Sequence, residues 1–271
     1  MQALLAFVLA VGVNAQAQQT PQKPSFSPLE VQAAKLDPLA YTIDPNSIVL
    51  KDEGPSIHPH GGMPDGPGDL PPVGGGVPPI GGDIDIGQII NIGQQIWQII
   101  ENNKPVVDVQ TTYAAAVPDG ITHWAQLGGW RPPEGRVYQL TAKNMYGANT
   151  IDVRFEVTRC YGGNYKGKGK YLTNVTIEPL QVNVLWAYKF SMKAEVPPTS
   201  IINVAQPEDP IAGMTVKLSW KIETAVKYTE GTSRYFVQGD GLFKELQQSK
   251  ISFREDLKKP MAALQSDIRW D

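Results

Sequence analysis

Downstream of residue 105, apolar and polar residues alternate with period two. Met214, Val216, Leu218, Trp220 and Ile222 interleave with Thr215, Lys217, Ser219, Lys221 and Glu223, which predicts a strand with one dry and one wet face. A longer alternation places Val182, Val184, Trp186, Tyr188, Phe190 and Met192 opposite Gln181, Asn183, Ala187, Lys189, Ser191 and Lys193, and predicts one continuous strand. A third sets Ile151, Val153, Phe155 and Val157 against Asp152, Arg154, Glu156 and Thr158. Weaker strands are expected at Val106 to Tyr113, Arg136 to Lys143, Tyr171 to Ile177, Ile201 to Ala205 and Tyr235 to Gln238. Clean alternation belongs to antiparallel sheets with one solvated face, so residues 105–241 are expected to form an antiparallel β-sandwich.

Just upstream the apparent period changes. Ile86, Ile89, Ile90, Ile96, Trp97 and Ile100, broadened by Ile92 and Ile99, fall at helical spacing behind Asp83 and Asp85 and ahead of Pro105. This predicts an amphipathic helix over residues 83–104, with the acidic pair at the positive end of its dipole. Its other face would carry the uncharged amides Gln88, Asn91, Gln95, Gln98 and Asn102. A helix showing no charge to water would sit in largely apolar surroundings, so it either covers the sheet or joins a bilayer or oligomeric seam through Ile89, Ile92, Ile96, Trp97 and Ile100. Covering the sheet is the favoured expectation.

The front of the chain reads differently. An apolar run from Ala3 to Val13, followed by small residues and a polar turn, has the form of a signal peptide cleaved after Ala17, although no Lys or Arg precedes the run. Residues 18–53 read as an extended arm with one helical turn near Ser27 to Ala34. Between Gly54 and Gly82, ten Gly and eight Pro in 29 residues make a linker that resists helix and sheet alike. Residues 242–271 form a charged tail, read as helical up to Lys259.

Composition narrows the function classes. Net charge is −3, which gives no reason to expect a nucleic-acid partner. Residues 18–103 hold three Lys and ten Asp or Glu, whereas residues 105–240 hold fourteen basic and twelve acidic residues, so the arm and linker are acidic and the β domain is mildly basic. Cys160 is the single cysteine, which rules out an intramolecular disulfide and fits a small apolar residue on a strand.

Motifs for chemistry are sparse. His58 and His60 lie in the linker and His123 in a loop, and neither setting fixes the three or four ligands a metal site needs. No nucleophile elbow, phosphate-binding glycine loop or zincin helix is present, and no cofactor is implied. Glu156 and Glu223, both expected on wet strand faces, are the carboxylates a glycosidase would require. The loop from Tyr161 to Tyr171 sets Lys166, Lys168 and Lys170 among Tyr161, Tyr165 and Tyr171 at an expected hairpin tip. With Trp130, which either stacks on a sugar ring or plugs one end of the sandwich, these form the candidate binding set. Asn174-Val175-Thr176 fits a glycosylation sequon but falls mid-strand.

The leading expectation is therefore a secreted or periplasmic, non-enzymatic β-sandwich, possessing a binding or envelope-structural role and not an integral membrane protein. An envelope component, a glycan or a second copy of the chain are the expected partner classes. A membrane-active or self-assembling protein using residues 83–104 and a secreted carbohydrate hydrolase are the alternatives.

Overall fold

The structure is a computed structural model, described here for residues 26–57, 84–106, 113–247 and 252–254. The expected signal peptide, His58, His60, the linker beyond Ile57 and most of the 106–113 strand lie outside these residues.

Two antiparallel sheets pack against each other as a β-sandwich. The first has the order β1 (Val49–Pro55), β6 (Glu134–Lys143), β7 (Asn149–Tyr165), β8 (Lys168–Val184), β5 (Ala114–Asp119), β2 (Asp85–Gly93). The second runs β13 (Phe243–Gln247), β12 (Tyr228–Gln238), β11 (Ala212–Glu223), β9 (Lys189–Glu195), β3 (Ile96–Glu101), β4 (Lys104–Pro105). The short β10 (Ile202–Asn203) pairs with β11, and β14 (Ser252–Arg254) pairs with β12. Among the described residues the one α-helix is α1 (Pro28–Leu36), where the arm was expected to make a helical turn.

The strongest alternation folds as its pattern dictates. Along β11 the apolar residues Met214, Val216, Leu218, Trp220 and Ile222 are all buried, and the intervening polar residues are half-buried on the wet face. Aromatic rings join the sheets across the core. Tyr138 of β6 stacks on Phe155 of β7 at 5.6 Å and meets Tyr235 of β12 at 5.0 Å. Ring pairs at such offsets add to the area they bury.

The helix expected over residues 83–104 is not formed, because this segment is β2 and β3. Ile is β-branched and loses side-chain freedom in a helix, while Gly87 and Gly93 weaken one further. Gly93 is also where the chain leaves the first sheet for the second. It has φ +99, and a Cβ there would lie 2.2 Å from the Tyr113 carbonyl oxygen, so the crossing needs glycine. Ile92, Trp97, Ile99 and Ile100 end up in the core by strand geometry. Of the amides, Gln88, Gln95 and Gln98 point to water from strands or their junction, and Asn102 with Asn103 makes the β3–β4 turn at positive φ.

Two further expectations change. The alternation from Gln181 to Lys193 is not one strand, because a turn at Leu185–Tyr188, with Ala187 at φ +65, sends β8 of the first sheet into β9 of the second. The tail read as helical instead begins with β13, which pairs with β12.

Candidate functional site

The carboxylate pair named for a glycosidase is not assembled. Glu156 is fully buried on β7, not on a wet face. Glu223 lies on β11 of the other sheet, where the Lys221 ammonium holds it. The two acids face no common cleft. Cys160 is buried as well, and burial pushes its thiol up to about 11, although a hydrogen bond with Asn174 works against the rise. His123 is exposed ahead of Trp124, and its backbone N–H donates to Gln126 Oε1 at 2.9 Å. Among the described residues, no three His, Cys, Asp or Glu side chains come together as a metal would require.

The expected binding set is only partly assembled. Lys166 and Gly167 have φ +51 and +82, the conformation of a two-residue hairpin turn, and they join β7 to β8. Lys166, Lys168 and Lys170 are exposed there, with the Lys166 ammonium 4.9 Å from the centre of the Tyr165 ring. Tyr171 is not at the surface. It is fully buried, its OH donates to the Ile86 carbonyl at 3.0 Å, and burial followed by the charges of Asp209 and Asp85 pushes its phenol up to about 12. Tyr161 is engaged too, donating to Glu134 Oε1 at 2.6 Å beneath the Arg159 guanidinium. Trp130 acts as the plug: it covers Gly163 so closely that a Cβ there would lie 2.3 Å from Trp130 Cη2, and it meets Trp124 edge-on at 6.3 Å. The Asp209 carboxylate accepts from Gly169 N–H at 2.8 Å, which puts one acid beside the backbone between Lys168 and Lys170. The positive charge of this tip is therefore offset only in part.

The membrane or assembly set is dispersed in the same way. Ile92, Trp97 and Ile100 are core residues, Ile89 is half-buried, and only Ile96 is largely exposed. Among the described residues no helix is long and apolar enough to cross a membrane.

The opposite end of the sandwich carries a feature the sequence reading missed. Ser27 and Glu30 form a capping box that starts α1, and Pro28 suits the first turn. The helix buries only Ala34 and turns Leu29 and Leu36, seven residues apart on one face, toward solvent. Beyond it the chain is pinned against two turns. Asn144 Nδ2 donates to the Ala40 carbonyl at 3.1 Å, Tyr188 OH donates to the same oxygen, and Met145 N–H donates to the Thr42 carbonyl at 3.0 Å. Tyr146 OH donates to Asp37 Oδ1 at 3.0 Å. Tyr41 stacks on Tyr188 at 6.2 Å and meets Trp186 edge-on at 6.3 Å.

The result is a cluster of large apolar side chains facing water on three adjoining segments. Leu36 is 79 % exposed, Leu39 51 %, Met145 47 %, Tyr146 62 %, Leu185 49 % and Trp186 52 %. Beside Leu185 a shallow, open depression lies over the paired ends of β7 and β8, with Asn149, Asp152 and Asn183 on its lining. Comparisons of the chain with protein-family models, with curated proteins and with solved structures returned no match.

Proposed function

We propose that this chain is an exported, non-enzymatic β-sandwich protein with a binding role in the cell envelope, and that it makes contact through the aromatic end formed by residues 36–41, 145–146 and 185–188. One observation carries the reading: six large side chains, each at least 47 % exposed and two of them aromatic, lie on three segments that hydrogen bonds and ring contacts hold together at one end of the sandwich, whereas Ile57, Ile96, Ile202, Leu242 and Leu246 are exposed without such an aromatic setting. Scattered exposed leucines are ordinary on protein surfaces, but a contiguous set around a Trp and a Tyr is the composition of contact surfaces. Hydrogen bonds from Asn144, Tyr146 and Tyr188 fix the segments before any partner arrives, which lowers the ordering cost of binding. The apolar run Ala3–Val13 supports export.

Two measurements test this reading. A fusion to a reporter enzyme active only outside the cytosol should be active, with the mature chain starting at Gln18; a reporter active only in the cytosol removes the envelope role. Association with isolated cell envelopes should fall when Leu185 and Trp186 are both changed to Ser, and should persist when Lys166 and Lys168 are changed to Ser. The reverse order of effects would assign contact to the lysine hairpin.

A further inference from the structure

We infer that the surface taken up by the aromatic end is a lipid bilayer, with Trp186, Leu185, Tyr146, Met145, Leu36 and Leu39 entering its interfacial layer; the inference rests on the binding role proposed above.

Shape is the first reason. The exposed apolar residues lie on a helix end, the β6–β7 turn and the β8–β9 turn at one end of the sandwich, a set of tips rather than a strand face. Such tips can enter a deformable apolar layer without a matching surface. Chemistry is the second. Trp and Tyr prefer the depth where apolar chains meet headgroups, and Leu and Met partition just below them, so this mixture suits an interface. Helix α1 reinforces it by turning Leu29 and Leu36 outward while burying the small Ala34, the inverse of a helix that serves its own core.

Charge and chain path supply two further arguments. Lys35 and Lys143, both exposed on segments that reach this end, have no carboxylate partner among the described residues, so their ammonium groups are available to lipid phosphates. Three acids share these segments, Glu30 accepting from Ser27 N–H at 2.7 Å, Asp37 from Tyr146 OH at 3.0 Å and Asp44 from Asn46 N–H at 2.9 Å, so the lysines offer local contacts to phosphate rather than a net positive field. The polypeptide also enters the described structure at this end, since Lys189 at the start of β9 places its ammonium over the Phe26 ring at 4.6 Å. Only residues 14–25 separate Phe26 from the apolar run Ala3–Val13. Until cleavage after Ala17, a spacer of this length keeps Phe26, and with it the aromatic end, within roughly 40 Å of the membrane that run enters.

The buried, high-pKa Cys160 makes a site-specific test straightforward, because a thiol label will select an introduced surface cysteine. The full-length chain carrying Leu185→Cys is labelled with a polarity-sensitive fluorophore and mixed with vesicles of phosphatidylethanolamine and phosphatidylglycerol. Lys168→Cys, labelled in the same way at the far end, is the control, and circular dichroism checks that both chains fold. The expected result is a blue shift at position 185, none at position 168, and loss of the shift when Trp186→Ser is added. No shift at 185, or equal shifts at both positions, overturns the inference. A shift at 185 that appears without vesicles and grows with protein concentration also overturns it, and assigns the end to a second copy. Envelope association that depends on Leu185 and Trp186 but is absent from pure lipid leaves the binding role standing and removes the bilayer.

Discussion

Asp52 and Glu245 are carboxylates drawn near one another by opposite sheets, and their environments push them in opposite directions. Burial raises the Glu245 pKa above the ordinary 4.5, the charge of Asp52 adds to the rise, and Arg136 opposes it. Burial also pushes Asp52 upward, but the hydrogen bond from Arg136, that from Gly54 N–H and the Arg136 charge outweigh it and leave the group below 3.8. A raised folded-state pKa means that the folded chain binds the extra proton, so Glu245 costs stability as pH climbs from about 4.5 through its folded value. Glu245→Gln should therefore raise Tm at neutral pH and lose this advantage near pH 4, as read by thermal unfolding across pH. Asp52 has the opposite sign: its contribution is present above about 3.8 and is lost as pH falls through its lowered value. The Asp52–Arg136 pair is more than a third exposed on its Arg136 side, so Asp52→Asn should cost less than about 1 kcal/mol at neutral pH. Cys160 should resist thiol reagents at pH 8 in the folded chain and react once denaturant opens it, because its raised pKa and burial both suppress the thiolate.

At the scale of elements, Gly93 is the most exacting position. Gly93→Ala must tolerate a positive φ and a Cβ driven into the Tyr113 carbonyl, so a loss of at least about 2 kcal/mol in denaturant unfolding is expected. That crossing also explains what the sequence could and could not convey. β11 was legible because each of its faces meets one environment, so its alternation maps directly onto burial. The segment 84–101 was not, because two short strands with a kink and a bulge between Gln98 and Ile100 spread isoleucines at intervals of three and four. Period alone cannot separate that from a helix; β-branching and the internal glycines carried the signal. Residues 181–193 misled in the converse way, since the alternation continues in phase through a turn that lifts Leu185 and Trp186 out of the core. The candidate contact surface was hidden by that continuity, and the outward leucines of α1 were hidden because nothing local says which helix face a core will meet.

The whole molecule has two unlike ends. At one, lysines surround a hairpin turn with Asp209 beside it; at the other, Leu, Met, Tyr and Trp face water next to a shallow depression. The aromatic end is built by contacts between residues far apart in the chain, such as Asp37 with Tyr146 and Ala40 with Tyr188, so it exists only after the sandwich has formed. Tyr41→Ala, which removes the ring packed on Tyr188 and Trp186, should make residues 36–48 the first site of limited proteolysis while the β core melts nearly as before. Loss of the whole fold on that change would mean that the segment is integral to the core. The chain passes from one sheet to the other after β2, after β4 and after β8. Like a bootlace drawn through two flaps, this path keeps either layer from peeling away while the other persists, so heat should melt the protein in one calorimetric step.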